Sequence, residues 1–198
     1  MKESQKFRFK IAVMGDSQVG KTSLMKKFTQ GSFDEDYRKF RGAQFSKFEK
    51  EIDGDMIRLI FWDIAGSDEY RYLRPSFYKE SGAAIIVFSL EENNLGRESF
   101  NHIPEWREEV MKYRGDIPVY VFANKADLVE EDELDETNIK KMVEEHNLRG
   151  YYITSAITGH SIIKAFNHII EELYNKAKMV PSQEVFKKKK AKKRKKRS

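Results

Sequence analysis

The stretch Gly15-Asp16-Ser17-Gln18-Val19-Gly20-Lys21-Thr22 reads Gly-x-x-x-x-Gly-Lys-Thr, and its flanks constrain the fold as much as its own residues do. Before it runs the strand-like apolar segment Phe7 to Met14, and after it the helix-like segment Ser23 to Thr29. A turn that links a strand directly to a helix needs glycine where the backbone curls. Successive N–H groups then point at one centre, and the helix starting near Gly20 adds its positive end. In this context the pattern predicts a cradle for a phosphate chain, with Lys21 reaching the outer phosphates and the Thr22 hydroxyl ligating Mg²⁺.

A chain of 198 residues with 39% apolar content has room for one α/β domain with its own core and an appendage. No run approaches the 18 apolar residues of a membrane span, and the start Met1-Lys2-Glu3-Ser4-Gln5 has neither an apolar signal region nor a glycine at position 2. The expectation is a cytoplasmic protein. Without a single cysteine, disulfides, thiol catalysis, palmitoylation and prenylation have no atom to act on. The net charge of +5 is uneven: ten of the 37 Lys and Arg lie in 187–198, leaving 27 against 32 acids in the rest. An acidic body carries a basic tail, so the two have different partners.

Strands are expected at Phe7 to Met14, Phe45 to Ile52, Ile57 to Trp62, Ala83 to Ser89, Val119 to Ala123 and Tyr151 to Thr154, with the turn Asp53-Gly54-Asp55 joining the second to the third. Helices are expected at Lys21 to Thr29, in part of Glu69 to Lys79, at Glu98 to Tyr113 with Pro104 disturbing its first turns, at Glu136 to His146 and at Ser161 to Lys178. Alternating strands and helices predict an α/β fold of three layers, with a mostly parallel six-stranded sheet and helices on both faces. The domain is expected over 1–178, followed by a disordered polybasic tail over 179–198.

Doubly wound sheets place ligands at the C-terminal ends of their strands, and the remaining chemistry falls there. Trp62-Asp63-Ile64-Ala65-Gly66 supplies a carboxylate to hold Mg²⁺, through a water, and a glycine N–H to meet a terminal phosphate. Asn124-Lys125-Ala126-Asp127 follows the strand at Val119. A carboxylate facing a base edge takes two hydrogen bonds from the adjacent N1–H and N2–H₂ donors of guanine, a pair that adenine lacks, so Asp127 is expected to select guanine. A backbone N–H in Thr154-Ser155-Ala156 is placed to meet the guanine O6. His102, His146, His160 and His168 share no ligand spacing, and Trp62 and Trp106 read as packing residues.

With these motifs, and with Tyr70-Arg71 and Pro75-Ser76-Phe77-Tyr78, the chain from Phe7 to Tyr174 resembles the Ras superfamily of small GTPases, most closely its Rab branch. The resemblance implies a P-loop GTPase domain that binds GTP and GDP with Mg²⁺, and two switch segments that order around the γ-phosphate and contact effector and regulator proteins. It implies nucleotide contacts from Gly15, Asp16, Ser17, Gln18, Val19, Gly20, Lys21, Thr22, Ser23, Phe33, Gly66, Asn124, Lys125, Asp127, Ser155, Ala156 and Ile157, and metal contacts from Thr22 and Asp63. Phe33 and Lys125 would flank the guanine. Ile157 stands where the family often has lysine, a mild change because the backbone reads the base.

Two departures bear on catalysis. The family places a Mg²⁺-ligating threonine seven residues after the guanine-packing aromatic; here Phe40 occupies that position, and no threonine lies between Gln30 and Trp62. A phenyl ring cannot ligate a hard cation. Ser67 stands where the family has the glutamine that orients the attacking water, and it is too short for that task. With Lys21 the intact catalytic group, the expectation is slow hydrolysis. Arg38 and Arg41 flank the missing threonine and offer charge neutralisation from within the chain; solvated loop arginines are the plainer reading.

The tail from Phe186 to Ser198 fits reversible contact with an anionic membrane surface. Nuclear import, nucleic-acid backbone binding and simple solubilisation fit the same residues, but with no aromatic beyond Phe186 sequence-specific reading of nucleic acid is not expected. Three readings therefore stand: a slow switch, a pseudo-GTPase that holds nucleotide constitutively as a membrane-associated module, and, least favoured by the acidic body, a nucleic-acid-associated GTPase.

Overall fold

The computed structural model describes residues 4–29, 42–130 and 134–179, together with the backbone of 38–40. Along the chain run β1 (Lys6–Met14), α1 (Lys21–Thr29), β2 (Arg38–Phe40), β3 (Ala43–Ile52), β4 (Asp55–Ile64), a 3₁₀ segment (Asp68–Leu73), α2 (Arg74–Tyr78) and β5 (Ala83–Ser89). Then follow α3 (Asn94–Asn101), α4 (Ile103–Arg114), β6 (Val119–Asn124), a 3₁₀ turn (Ala126–Leu128), α5 (Glu136–Glu145), β7 (Gly150–Ile153) and α6 (Ile162–Met179).

One sheet orders the strands β2-β3-β4-β1-β5-β6-β7. All six expected strands are present. The seventh, β2, is a three-residue edge strand that pairs antiparallel with β3, Phe40 opposite Ala43. It is too short to carry a period-2 signal, which is why the sequence does not announce it. The pairs of β1 with β4 and β5, of β5 with β6 and of β6 with β7 are parallel, while β3 and β4 form the antiparallel hairpin. Its turn residues Asp53 and Gly54 both have positive φ, 52° and 80°, as a tight hairpin that follows the strand twist requires.

Alternation along the strands builds two cores. Ile11 and Val13, Ile57, Leu59 and Phe61, Ile85 and Val87, and Tyr120 and Phe122 face α1 and α6, where Phe166 stacks on Phe28 at 4.3 Å. Ala12 and Met14, Ala84, Ile86 and Phe88, and Val119, Val121 and Ala123 face Tyr78, Ile103, Trp106, Val110 and Ile139 on the other side. The three layers follow from this division.

The helix expected over Glu98 to Tyr113 is two helices that meet at His102. Pro104 lies in the first turn of α4, where its missing N–H has no acceptor to disappoint, and the preceding helix stops before it. α3 begins earlier than expected because Asn93 caps it, its side chain accepting from the Gly96 N–H at 3.0 Å. At the far end of the sheet, Asp55 accepts from the Gln5 N–H (2.8 Å), the Tyr174 hydroxyl (2.8 Å) and Lys178 Nζ (2.6 Å). These partners, Lys178 foremost, hold its carboxyl below the usual range and pin the end of α6 to the start of β4.

Candidate functional site

The order of strands reverses about β1, and the crevice at that reversal is where the motifs converge. Gly15 leaves β1 at φ +136° with Val87 O only 2.1 Å from where a Cβ would stand. Gly20 enters α1 at φ +97° with Asn124 Nδ2 at 2.3 Å from the same point. No other residue fits either position, so both glycines of the motif are set by close approach as well as by conformation. Lys21 folds back over this loop, its Nζ donating to Gly15 O (2.9 Å) and Asp16 O (2.6 Å). Burial lowers its pKa to about 8, against the opposing pull of Asp63 and Asp16. An anion in the cradle would raise it again, which couples phosphate binding to a fully charged Lys21.

The head of α1 and the end of β4 meet where the Thr22 hydroxyl donates to Asp63 Oδ2. Asp63 is buried, and burial raises its carboxyl pKa against the Thr22 hydrogen bond and the Lys21 charge. Two hard oxygen donors at one point fit Mg²⁺, which binds through one or two carboxylates and keeps its waters. Among the described residues no group of three or more His, Asp or Glu could hold a metal by itself. Gly66 presses on the loop from the other side; a Cβ there would lie 2.4 Å from Asp16 C and Ser17 N. Ser67 follows at the mouth of the same cleft.

Asn124 ties the loop to the second half of the crevice. Its Nδ2 donates to Val19 O (2.8 Å), and its Oδ1 accepts from the Ala156 N–H (3.3 Å) and the Thr154 hydroxyl (3.4 Å). Lys125 takes a left-handed conformation (φ 69°), which directs its Nζ to the Glu91 carboxylate. Asp127 accepts from the Ser155 hydroxyl at the edge of a 420 Å³ cavity also lined by Ile153, Thr158 and His160. Ala156 N–H and Ser155 N–H are engaged within the chain, with Asn124 Oδ1 and His160 O. Ile157 is exposed, and Lys27 Nζ donates to its carbonyl at 3.4 Å. Phe33 and Arg41 lie outside the described residues. Arg38 and Phe40 are described only as backbone of β2.

Sequence reasoning missed a group beside the loop. Asp16 accepts from Trp106 Nε1 (2.8 Å) and from His102 Nδ1 (2.7 Å), and the second contact raises the His102 pKa. Trp106 does pack in the core as expected, yet its N–H also anchors the loop. Arg74 donates to the carbonyls of Gly66 and Ser67 and pairs with Glu109. The helical spacing of His102, Trp106 and Glu109 was visible, but nothing in it said that this face of α4 meets the loop.

A sequence model of the Ras family matches residues 10–175, which holds every described element from mid-β1 to the last turn of α6. The chain belongs to the Ras family. Among the relatives of this Ras-family chain are the Ras-related protein Rab-19 of Mus musculus, 31% identical over 86% of this chain and 77% of its own length. The Ras-related protein Rab11A of Lotus japonicus is 29% identical over 84% of this chain and 72% of its own. RABA4b of Arabidopsis thaliana is 29% identical over 84% and 73%. Within the Ras family the chain is Rab-like, and a GTP-binding switch is the function common to that family. No described helix is long and apolar enough to cross a membrane.

Proposed function

We propose that this protein binds GTP and GDP in the crevice at the end of β1, with Mg²⁺ at Thr22 and Asp63, and hydrolyses GTP slowly. The observation that carries the reading is Asn124. One buried side chain joins the phosphate loop at Val19 to the base-side segment at Ala156, so phosphate and base contacts are built as one site. Lys21 then meets the outer phosphates and Asp127 the guanine edge, with Ser155 orienting its carboxylate. Mg²⁺, when bound, supplies charge neutralisation at the phosphates. Lys125, Ser23, Phe33 and Ile157 complete the proposed nucleotide contacts.

Slow turnover rests on Ser67. A hydroxymethyl group cannot reach as far as an amide on two more carbons, so attacking water is left without its usual partner. In single-turnover hydrolysis, Ser67→Gln is expected to raise the rate about tenfold or more, the scale of a catalytic donor. An unchanged rate would show that water orientation is not the limiting defect. Phe40 and Ser67 together favour a second reading, a pseudo-GTPase that retains nucleotide constitutively. GTP persisting on the purified protein supports that reading, and GDP supports the switch.

The partners proposed are effectors and regulators at the 38–44 and 66–78 segments, and an anionic membrane surface for the basic residues of 187–198, which lie outside the described region. Each cation contributes roughly 1 kcal/mol at such a surface, less as salt rises. Sedimentation with anionic vesicles is expected to pull down the full chain but not one ending at Met179; equal capture by neutral vesicles contradicts the electrostatic account.

A further inference from the structure

Arg74 begins α2 and is 3% exposed, a costly place for a guanidinium unless its position does something for the molecule. Its Nη2 donates to Gly66 O (2.9 Å) and Ser67 O (3.1 Å), and its Nη1 meets Glu109 Oε2 at 3.3 Å. The guanidinium lies over the Trp106 ring, 4.3 Å from its centre. Glu109 is itself held by the Tyr78 hydroxyl at 2.9 Å, and Trp106 donates onward to Asp16. Arg74 therefore sits in a rigid frame on α4 that also grips the phosphate loop. A cleft of about 430 Å³ opens between Ser17, Gln18, Gly66, Ser67 and this arginine. The Arg74 Nε has no hydrogen-bond partner among the described residues.

A trans peptide points its N–H opposite to its C=O. One nitrogen, Nη2, that donates to the carbonyls of residues 66 and 67 therefore fixes the directions of the N–H groups of 67 and 68 and holds in place Gly66, whose own N–H is the one expected at the terminal phosphate and which is already pressed against Asp16 and Ser17. We propose that Arg74 is a positioning residue for the terminal phosphate of GTP, holding the backbone of 66–68 against the phosphate loop in a chain that has phenylalanine, which cannot ligate Mg²⁺, at position 40 and serine at position 67. The inference rests on the guanine-nucleotide reading above.

The test compares the full-length protein with Arg74→Lys and Arg74→Ala, using a fluorescent GDP and a fluorescent non-hydrolysable GTP analogue. A lysine keeps the charge over Trp106 but not the planar fork. Both variants are expected to lose about tenfold in affinity for the triphosphate, with GDP affinity within about twofold of the parent. Single-turnover hydrolysis is expected to fall by a similar factor. Retained GDP binding shows that the fold survives. A triphosphate-to-diphosphate ratio unchanged from the parent overturns the proposal, and so do equal losses for both nucleotides, which mark Arg74 as merely structural. Failure of the parent protein to bind either nucleotide would instead remove the guanine-nucleotide reading on which the proposal stands.

Discussion

Lys21→Ala is expected to weaken GDP and GTP binding about 100-fold or more, the largest effect of any single substitution in the crevice. Lys21 is 7% exposed, and among the described residues two backbone carbonyls, Gly15 O and Asp16 O, accept from its ammonium. A third donor direction is left for an incoming phosphate. Charge-assisted hydrogen bonds are worth about 1.5–3 kcal/mol each, and two phosphate groups within reach make a loss of about 3 kcal/mol reasonable. Removing the cation also takes away a positive charge that helps to keep the buried Asp63 ionised, so metal affinity is expected to fall with it. Equilibrium titration with fluorescent GDP at fixed Mg²⁺ reads this directly, and an affinity within a few-fold of the parent would mean that phosphate does not bind at this loop.

Asp127→Ala is expected to lower guanine-nucleotide affinity about 100-fold while leaving adenine-nucleotide binding weak and unchanged. The carboxylate is oriented by the Ser155 hydroxyl, itself a buried group that also accepts from the Thr158 N–H at 3.1 Å. A site built to hydrogen-bond a substrate N–H discriminates strongly because the mismatch leaves buried polar groups unsatisfied. Deleting the acceptor pair removes the reward for guanine without creating one for adenine. Competition between GDP and ADP measures the ratio. A GDP-to-ADP preference that survives the substitution would move base selection to some other residue and detach Asp127 from the reading given above.

Much of the framework was legible because its signals are local. Gly15 and Gly20 announce a turn that only glycine can make, the Asp53-Gly54 pair announces a hairpin, and the uniform burial of β5 and β6 shows as continuous apolar runs. What escaped was relational. Arg74 and Glu109 are 35 residues apart, and Asp16 and Trp106 are 90 apart. Either pair has a bland local explanation, a charged helix face or a packing aromatic, and only the crossing of α2, α4 and the loop turns them into one frame. The same holds for Lys125, whose pairing with Glu91 depends on a left-handed residue that the tetrapeptide Asn-Lys-Ala-Asp does not disclose. The Phe40 and Ser67 departures, by contrast, were visible as simple substitutions within recognisable motifs.

The junction of Asp55 with Tyr174 and Lys178 has a directional consequence. Asp55 opens β4 and Asp63 sits near its other end, so at roughly 3.3 Å per residue the two carboxylates stand about 26 Å apart along one strand. Met179, next to Lys178, is thereby moored at the pole opposite the crevice. The chain therefore leaves the described domain at the end away from the nucleotide crevice and the 66–78 segment, so whatever follows Met179 starts from the far side of the sheet.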